Sequence, residues 1–332
     1  MKLSVLVVTY NHEKYITQCL DSILSQQVSF DYELVLGVDL CSDNTLDICK
    51  YYSSKYPQIK LLQTKERLGM VNNWKRSLYS CQGDYIAICE GDDYWTDNLK
   101  LQKQVDFLDK YLDCGLCYTD CNIVCENTQE TFNNIINNGY SYLDESNPLN
   151  NKNYACNVTW MLRKQFIQYF NIKEDNLDIP LTILYEIYLR AKVKYVSINS
   201  GVYRRHDDSV SFDIKNKRKM YEHQKYTFNF FDEYIPKFEK DENEYLSKHY
   251  SKGLWTIYPN ALYYKDQEII NKFEKFFKGR LNLEDFLQRV KNMENNLNQA
   301  YQTINEVKNT FSYKLGFALT SPLRWIKKIF GK

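Results

Sequence analysis

The chain has 332 residues, 43 of them basic and 42 acidic, and this near-cancellation excludes a nucleic-acid partner recruited by net charge. Its 44% of hydrophobic residues suffice for one large domain or two ordinary ones, which excludes a disordered tail. No apolar run reaches the ~18 residues of a membrane span, and ten cysteines, read as free thiols, fit a reducing cytoplasm.

The first strand is expected at L-S-V-L-V-V-T (3–9), because N-H-E-K follows it without the small-residue cleavage site of an export signal. Ile16, Leu20, Ile23 and Leu24 then mark one face of a helix, and Y-E-L-V-L-G-V (32–38) a second strand. A helix opened by Ser42, Asp43 and Asn44, a strand at 59–63, a helix from Met70 to Leu78 and the strand Y-I-A-I-C (85–89) follow. Such alternation implies an α/β fold with a mainly parallel sheet flanked by helices, whose ligands bind beyond the C-terminal strand ends. Those ends carry Thr9-Tyr10-Asn11, Asp39 and E-G-D-D-Y-W (90–95). Glu90, Asp92 and Asp93 repel one another, so a hard divalent cation is expected beside them. Neither a G-x-G-x-x-G nor a G-x-x-x-x-G-K loop follows strand one, which argues against a dinucleotide or P-loop site.

Cys114, Cys117, Cys121 and Cys125 match no zinc spacing, and G-L-C-Y-T-D-C-N-I-V-C reads instead as a strand with Cys117, Cys121 and Cys125 as small hydrophobes on one face. The Asn-rich stretch 126–153 reads as a loop. A helix near Asp178 and strands K-Y-V-S-I and S-G-V-Y-R complete the first 212 residues. From 213 to 280 the pattern is helical. Phe286, Val290, Met293, Leu297, Ala300, Ile304, Val307 and Phe311 follow a heptad seam, read either as a coiled coil at 281–310 and a route to a homo-oligomer or as a helix packed on its own domain. The last 22 residues (311–332) hold five basic residues and no acid, and Leu323, Ile326, Ile329 and Phe330 share a face, the pattern of a helix lying on an anionic membrane.

Four motifs in series, S-V-L-V-V-T-Y-N-H-E-K-Y-I, G-V-D-L-C-S-D-N-T, R-L-G-M-V-N-N-W and G-D-Y-I-A-I-C-E-G-D-D-Y-W, closely resemble a family 2 glycosyltransferase of the bacterial surface-polysaccharide type. The resemblance is strong over 1–125, fair to about 212 and weak beyond. It implies a GT-A fold over 1–212, with a nucleotide-sugar half (1–125) and an acceptor half (126–212), and an inverting reaction dependent on Mn2+ or Mg2+. By the same resemblance Asp39 meets the nucleotide base, with Thr9, Tyr10 and Asn11 lining that pocket. Asp92 lies at the ribose and Asp93 holds the metal. Glu90 stands where many relatives have aspartate and is a further candidate ligand. Asp178 is implied as the base, although Leu177 replaces the acid or glycine usual before it. In Y-R-R-H (203–206), His206 approaches the metal or diphosphate, and Arg204 or Arg205 adds positive charge.

Simpler readings stand beside these. Asp178 before Pro180 is also a helix N-cap, Asp39 a turn residue, and Trp95 either core or an acceptor-side stacking platform. The expected function is transfer of a sugar, from a UDP-sugar in the commonest case, to an oligosaccharide or lipid-linked acceptor in capsule, O-antigen or exopolysaccharide synthesis. The expected location is the cytoplasmic face of the plasma membrane. The departures at Glu90 and Leu177 leave open a catalytically silent glycan-binding or scaffold protein. A sugar nucleotidyltransferase would need a glycine-rich triphosphate loop, which is missing.

Overall fold

The computed structural model describes residues 1–277 apart from 127, 149–150, 152–155, 207–216, 240 and 242–249. The expected heptad seam and basic tail therefore lie outside the described residues. The chain forms two compact units, Met1–Tyr245 and Leu246–Lys332.

Strands and helices alternate at the start of the first unit. They run β1 (Leu3–Thr9), α1 (Ile16–Leu24), β2 (Tyr32–Val38), α2 (Thr45–Lys55), β3 (Ile59–Leu62), α3 (Gly69–Tyr79) and β4 (Tyr85–Ile88). There follow β5 (Tyr94–Trp95), α4 (Lys100–Lys110), β6 (Cys114–Cys125), β7 (Glu130–Phe132), β8 (Met161–Arg163), α5 (Ile179–Tyr188), β9 (Lys192–Arg205) and α6 (Lys217–Tyr234). The sheet order is β3-β2-β1-β4-β8-β6-β9-β5, with β7 on β6. β1 to β4 pair in parallel, β8 runs against both β4 and β6, and β9 returns parallel to β6. The C-terminal ends of β1, β2, β4, β6 and β9 consequently share one edge, where the site is built.

Apolar side chains on both faces keep the central strands dry, as parallel sheets require. Leu6, Val8, Ile86 and Ile88 pack under α3 and α5, whereas Leu3, Val5, Val7, Leu34 and Leu36 pack under α1, α2 and α4. The cysteines of β6 act as small hydrophobes. Cys117 lies in the second core layer, and Cys121 with Ile123 joins Ile135 in a smaller cluster. The two strands expected over 194–204 are one, β9, bent where its register with β6 slips between Thr119 and Cys121. The first unit also continues past residue 212, because α6 seats Phe230 and Tyr234 in the core against Tyr185.

In the second unit, α7 (Ser251–Tyr264) and α8 (Gln267–Phe277) pair through Tyr258 and Phe273, whose rings stack at 3.7 Å. No helix among the described residues is long and apolar enough to cross a membrane.

Candidate active site

At the end of β4 the chain turns through Glu90–Asp93, closed by a hydrogen bond from the Asp93 N–H to the Glu90 carbonyl at 3.0 Å. The turn lies against β1: the Gly91 N–H donates to the Val8 carbonyl at 3.0 Å, and a Cβ on Gly91 would stand 2.6 Å from Thr9 Oγ1. Only glycine lets the acidic turn sit this close. Three carboxylates are thereby held together in different surroundings. Burial and the neighbouring Asp92 push the Glu90 carboxyl up to about 7, while Trp74 Nε1 donates to it at 3.2 Å. Burial also pushes Asp92 up, but His12 and His206 outweigh it and hold Asp92 below the usual range. Asp93 is fully buried, and burial with the charges of Asp92 and Glu90 drives it well above.

β9 supplies the opposing positive charge. His206 Nε2 lies 3.0 Å from Asp92 Oδ2, with His12 Nε2 at 3.9 Å from the same oxygen. Arg204 holds the turn: its N–H donates to Asp93 Oδ1 at 2.8 Å, and Nη1 donates to the Asp92 carbonyl at 2.6 Å. Its guanidinium also meets Gln18 and lies between the rings of Tyr15 and Tyr94, 5.1 and 4.5 Å from their centroids. The Tyr15 hydroxyl donates to Glu126 Oε2 at 2.7 Å, which ties α1 to the end of β6.

Ligand atoms of Glu90, Asp92 and Asp93 lie within 4.8 Å of one another, as do those of His12, Asp92 and His206. Asp93 Oδ2 is buried with no hydrogen-bond partner among the described residues. These residues fit a divalent cation, since an orphaned carboxylate oxygen inside an acidic cluster is what such an ion would satisfy.

The first two strand ends frame the rest of the pocket. Asn11 adopts φ 53° and clasps Ser42, accepting from its N–H at 2.9 Å and donating to its hydroxyl at 3.1 Å. Tyr10 lies under Arg67, whose guanidinium is 4.5 Å from the ring centroid. Thr9 Oγ1 is buried without a hydrogen-bond partner among the described residues. Asp39 accepts from the N–H groups of Leu40, Leu68 and Gly69, each at 2.8 Å, and so fastens the start of α3. Three of its roughly four lone-pair sites are thus occupied by backbone.

Asp178 caps α5, its Oδ1 accepting from the Leu181 N–H at 3.0 Å. Its charge is felt at Glu90, which places it in electrostatic reach of the acidic turn.

The structure thus brings Thr9, Glu90, Asp92, Asp93 and His206 together, with Tyr10 and Asn11 following Thr9 at the end of β1 and Arg205 preceding His206 at the end of β9. Asp92, expected at the ribose, is the carboxylate common to both ligand trios, and Asp93, expected at the metal, belongs to the acidic one. Arg204 is committed to the turn, and Arg205, partly buried, follows it with its guanidinium 6.0 Å from the centroid of the Tyr203 ring. An acceptor-side platform at Trp95 is corrected. The ring is 4% exposed, Nε1 donates to the Val158 carbonyl at 2.8 Å, and Lys100 Nζ lies 4.4 Å from its centroid. His12 and Trp74 join the site without being among the expected residues, and both stand inside the four motifs, where a histidine just past a strand end is the signal the sequence offers.

Residues 4–170 match the model of glycosyl transferase family 2. The chain is 36% identical over 125 residues to an uncharacterized protein of Mycobacterium tuberculosis, across 37% of this chain and 36% of that one. It is 39% identical over 111 residues to the putative glycosyltransferase EpsE of Bacillus subtilis, across 33% and 39%. The match thus spans well under two thirds of either relative. Among solved structures, Staphylococcus aureus TarS 1–349 in complex with UDP aligns with a TM-score of 0.54 at 20% identity, over 87% of this chain and 78% of that one. The mannosyltransferase PcManGT of Pyrobaculum calidifontis, in complex with GDP-Man and Mn2+, aligns with a TM-score of 0.54 at 14% identity, over 100% and 88%. These likenesses carry the fold, which is the expected GT-A fold.

Proposed function

Because the chain belongs to glycosyl transferase family 2, we propose that it is a metal-dependent, inverting transferase that moves a sugar from a UDP-sugar to an oligosaccharide or lipid-linked acceptor of a cell-surface polysaccharide. The observation that carries this reading is the meeting of Asp92 with Glu90, Asp93, His12 and His206 at the strand-end edge. A nucleotide pocket at that edge is what a parallel sheet offers. The uridine donor is favoured by the TarS complex with UDP, and a polysaccharide pathway by relatives such as the poly(ribitol-phosphate) beta-N-acetylglucosaminyltransferase of S. aureus.

Asp93 and Asp92 would hold Mn2+ or Mg2+ with Glu90, and His206 and His12 stand on the other side of Asp92. Once bound, the ion supplies positive charge to the diphosphate as the sugar departs. The chain's own residues do the remaining work. Thr9, Tyr10 and Asn11 line the nucleotide pocket, and Asp39 positions the 67–69 segment over it. Arg205 adds charge at the same edge. Asp178 accepts the acceptor hydroxyl's proton while that oxygen attacks the anomeric carbon from the face opposite the diphosphate, which inverts the centre. Residues 311–332, by their one-signed charge and apolar stripe, hold the enzyme on the inner face of the membrane.

Thermal melts of the full chain with UDP-glucose, UDP-N-acetylglucosamine and GDP-mannose, each with and without MnCl2, test the donor site. One uridine donor with Mn2+ should stabilise the fold by about 2.7 kcal/mol at a hundredfold excess over Kd. EDTA should remove the gain, and Asp92→Asn should lose it. An equal gain in Asp92→Asn and wild type would reject the metal-anchored site.

A further inference from the structure

The inner face of α6 is set by packing. His223, Tyr226, Phe230 and Tyr234 recur at three- and four-residue spacing and share one side of the helix. Phe230 and Tyr234 seat that side against Tyr185, the Tyr234 hydroxyl donates to Glu186, and the Tyr226 hydroxyl lies 3.5 Å from Thr182 Oγ1. The same register brings His223 Nε2 to 3.8 Å from Asp178 Oδ2. Since Asp178 Oδ1 is engaged by the Leu181 N–H, Oδ2 is the oxygen turned to the imidazole.

Resting on the reading of Asp178 as acceptor base, we propose that His223 is its positioning partner and proton outlet, so that the base is a carboxylate–imidazole pair built from α5 and α6. The acceptor O–H bond breaks, and its electron pair forms the new bond to the anomeric carbon. The carbon–oxygen bond to the diphosphate breaks, and the diphosphate leaves with that pair. The proton passes to Asp178 Oδ2, then to His223 Nε2, then to water. The Asp178 side chain is 9% exposed and that of His223 27%, so the imidazole spans the distance between an enclosed carboxylate and solvent. A helix N-terminus favours an anion, which returns the carboxylate to its basic form. Imidazole is the side chain that exchanges protons near neutrality. Among the charges nearby, Glu222, the residue before His223, pairs with Arg218 at 2.5 Å, and Asp175 and Glu233 act alongside Asp178 on Tyr226.

The test has a spectroscopic and a kinetic arm. The chain holds four histidines, so imidazole NMR of the labelled full chain is tractable, and His223→Gln assigns the resonance. Asp178→Asn keeps the helix cap, because asparagine caps as well as aspartate. Asp178→Asn should move the His223 imidazole resonances, and resonances that stay in place overturn the pairing. In turnover of the same three donors with Mn2+, His223→Gln should lower kcat by about a hundredfold, with donor KM within about twofold and the melting point unchanged. An inactive Asp178→Asn beside a fully active His223→Gln overturns this proposal alone. A fully active Asp178→Asn overturns Asp178 as base, and this proposal with it.

Discussion

Single side chains in this protein are read correctly only when their hydrogen bonds are counted. Asp39 stands at the expected strand end, yet its carboxylate is occupied by the backbone of Leu40, Leu68 and Gly69. Residue type and position were legible there, but the partner was not, because it comes from a loop whose path no local pattern encodes. Trp95 was ambiguous for a related reason: a tryptophan looks the same whether its ring faces sugar or core. The lysine beside it makes the point testable. Lys100 is fully buried, donates to Gln104 Oε1 at 2.5 Å, and is lowered by burial to about 8. Its folded value lies below the unfolded one, near 10.4. Between those values the unfolded chain binds more protons, so stability rises with pH. Urea denaturation at pH about 7 and about 9.5 should show wild type gaining on the order of 2 kcal/mol relative to Lys100→Met. An equal pH response in the two proteins would show that Lys100 is solvated.

Elements were the most legible level, for periodicity acts locally and the alternation through β4 follows from it. The element that sequence reading placed elsewhere is α6, assigned to an extension beyond residue 212. Its aromatic stripe does not reveal which surface it covers, and in the structure that surface is α5. Phe230 is 6% exposed, with its ring 5.3 Å from Tyr185 and 4.3 Å from Tyr234. Phe230→Ala should therefore destabilise the first unit by about 3–5 kcal/mol, read as a fall in the urea midpoint. A change below about 0.5 kcal/mol, the range of a surface substitution, would detach α6 from the catalytic fold.

At the scale of the whole molecule, charge is nearly balanced and gives no long-range attraction, so any membrane attachment must be local. The five basic residues after residue 310 concentrate the charge available for it. Removing 311–332 should abolish co-sedimentation with vesicles rich in anionic lipid and leave the donor-induced thermal shift intact. Equal sedimentation of the full and shortened chains would refute attachment through this segment. Whole-molecule organisation was the least legible level. Strand order across β4, β8 and β6 joins segments far apart in the chain, and pairing at that range leaves no periodic trace.

The clamp of Arg204 on the acidic turn also bears on how the enzyme comes into being. Asp93 and the Arg204 amide that fixes it are separated by 111 positions, and β5 is held in the sheet by β9. A ribosome that has delivered the strand ends and the acidic turn of the first hundred residues has not yet delivered the parts that hold them in register. Until residues 201–206 emerge, Glu90, Asp92 and Asp93 can have His12 beside them but lack the His206 and Arg204 contacts that hold the turn. The turn therefore gains its Arg204 contacts late in synthesis, once the strand 111 positions downstream has emerged.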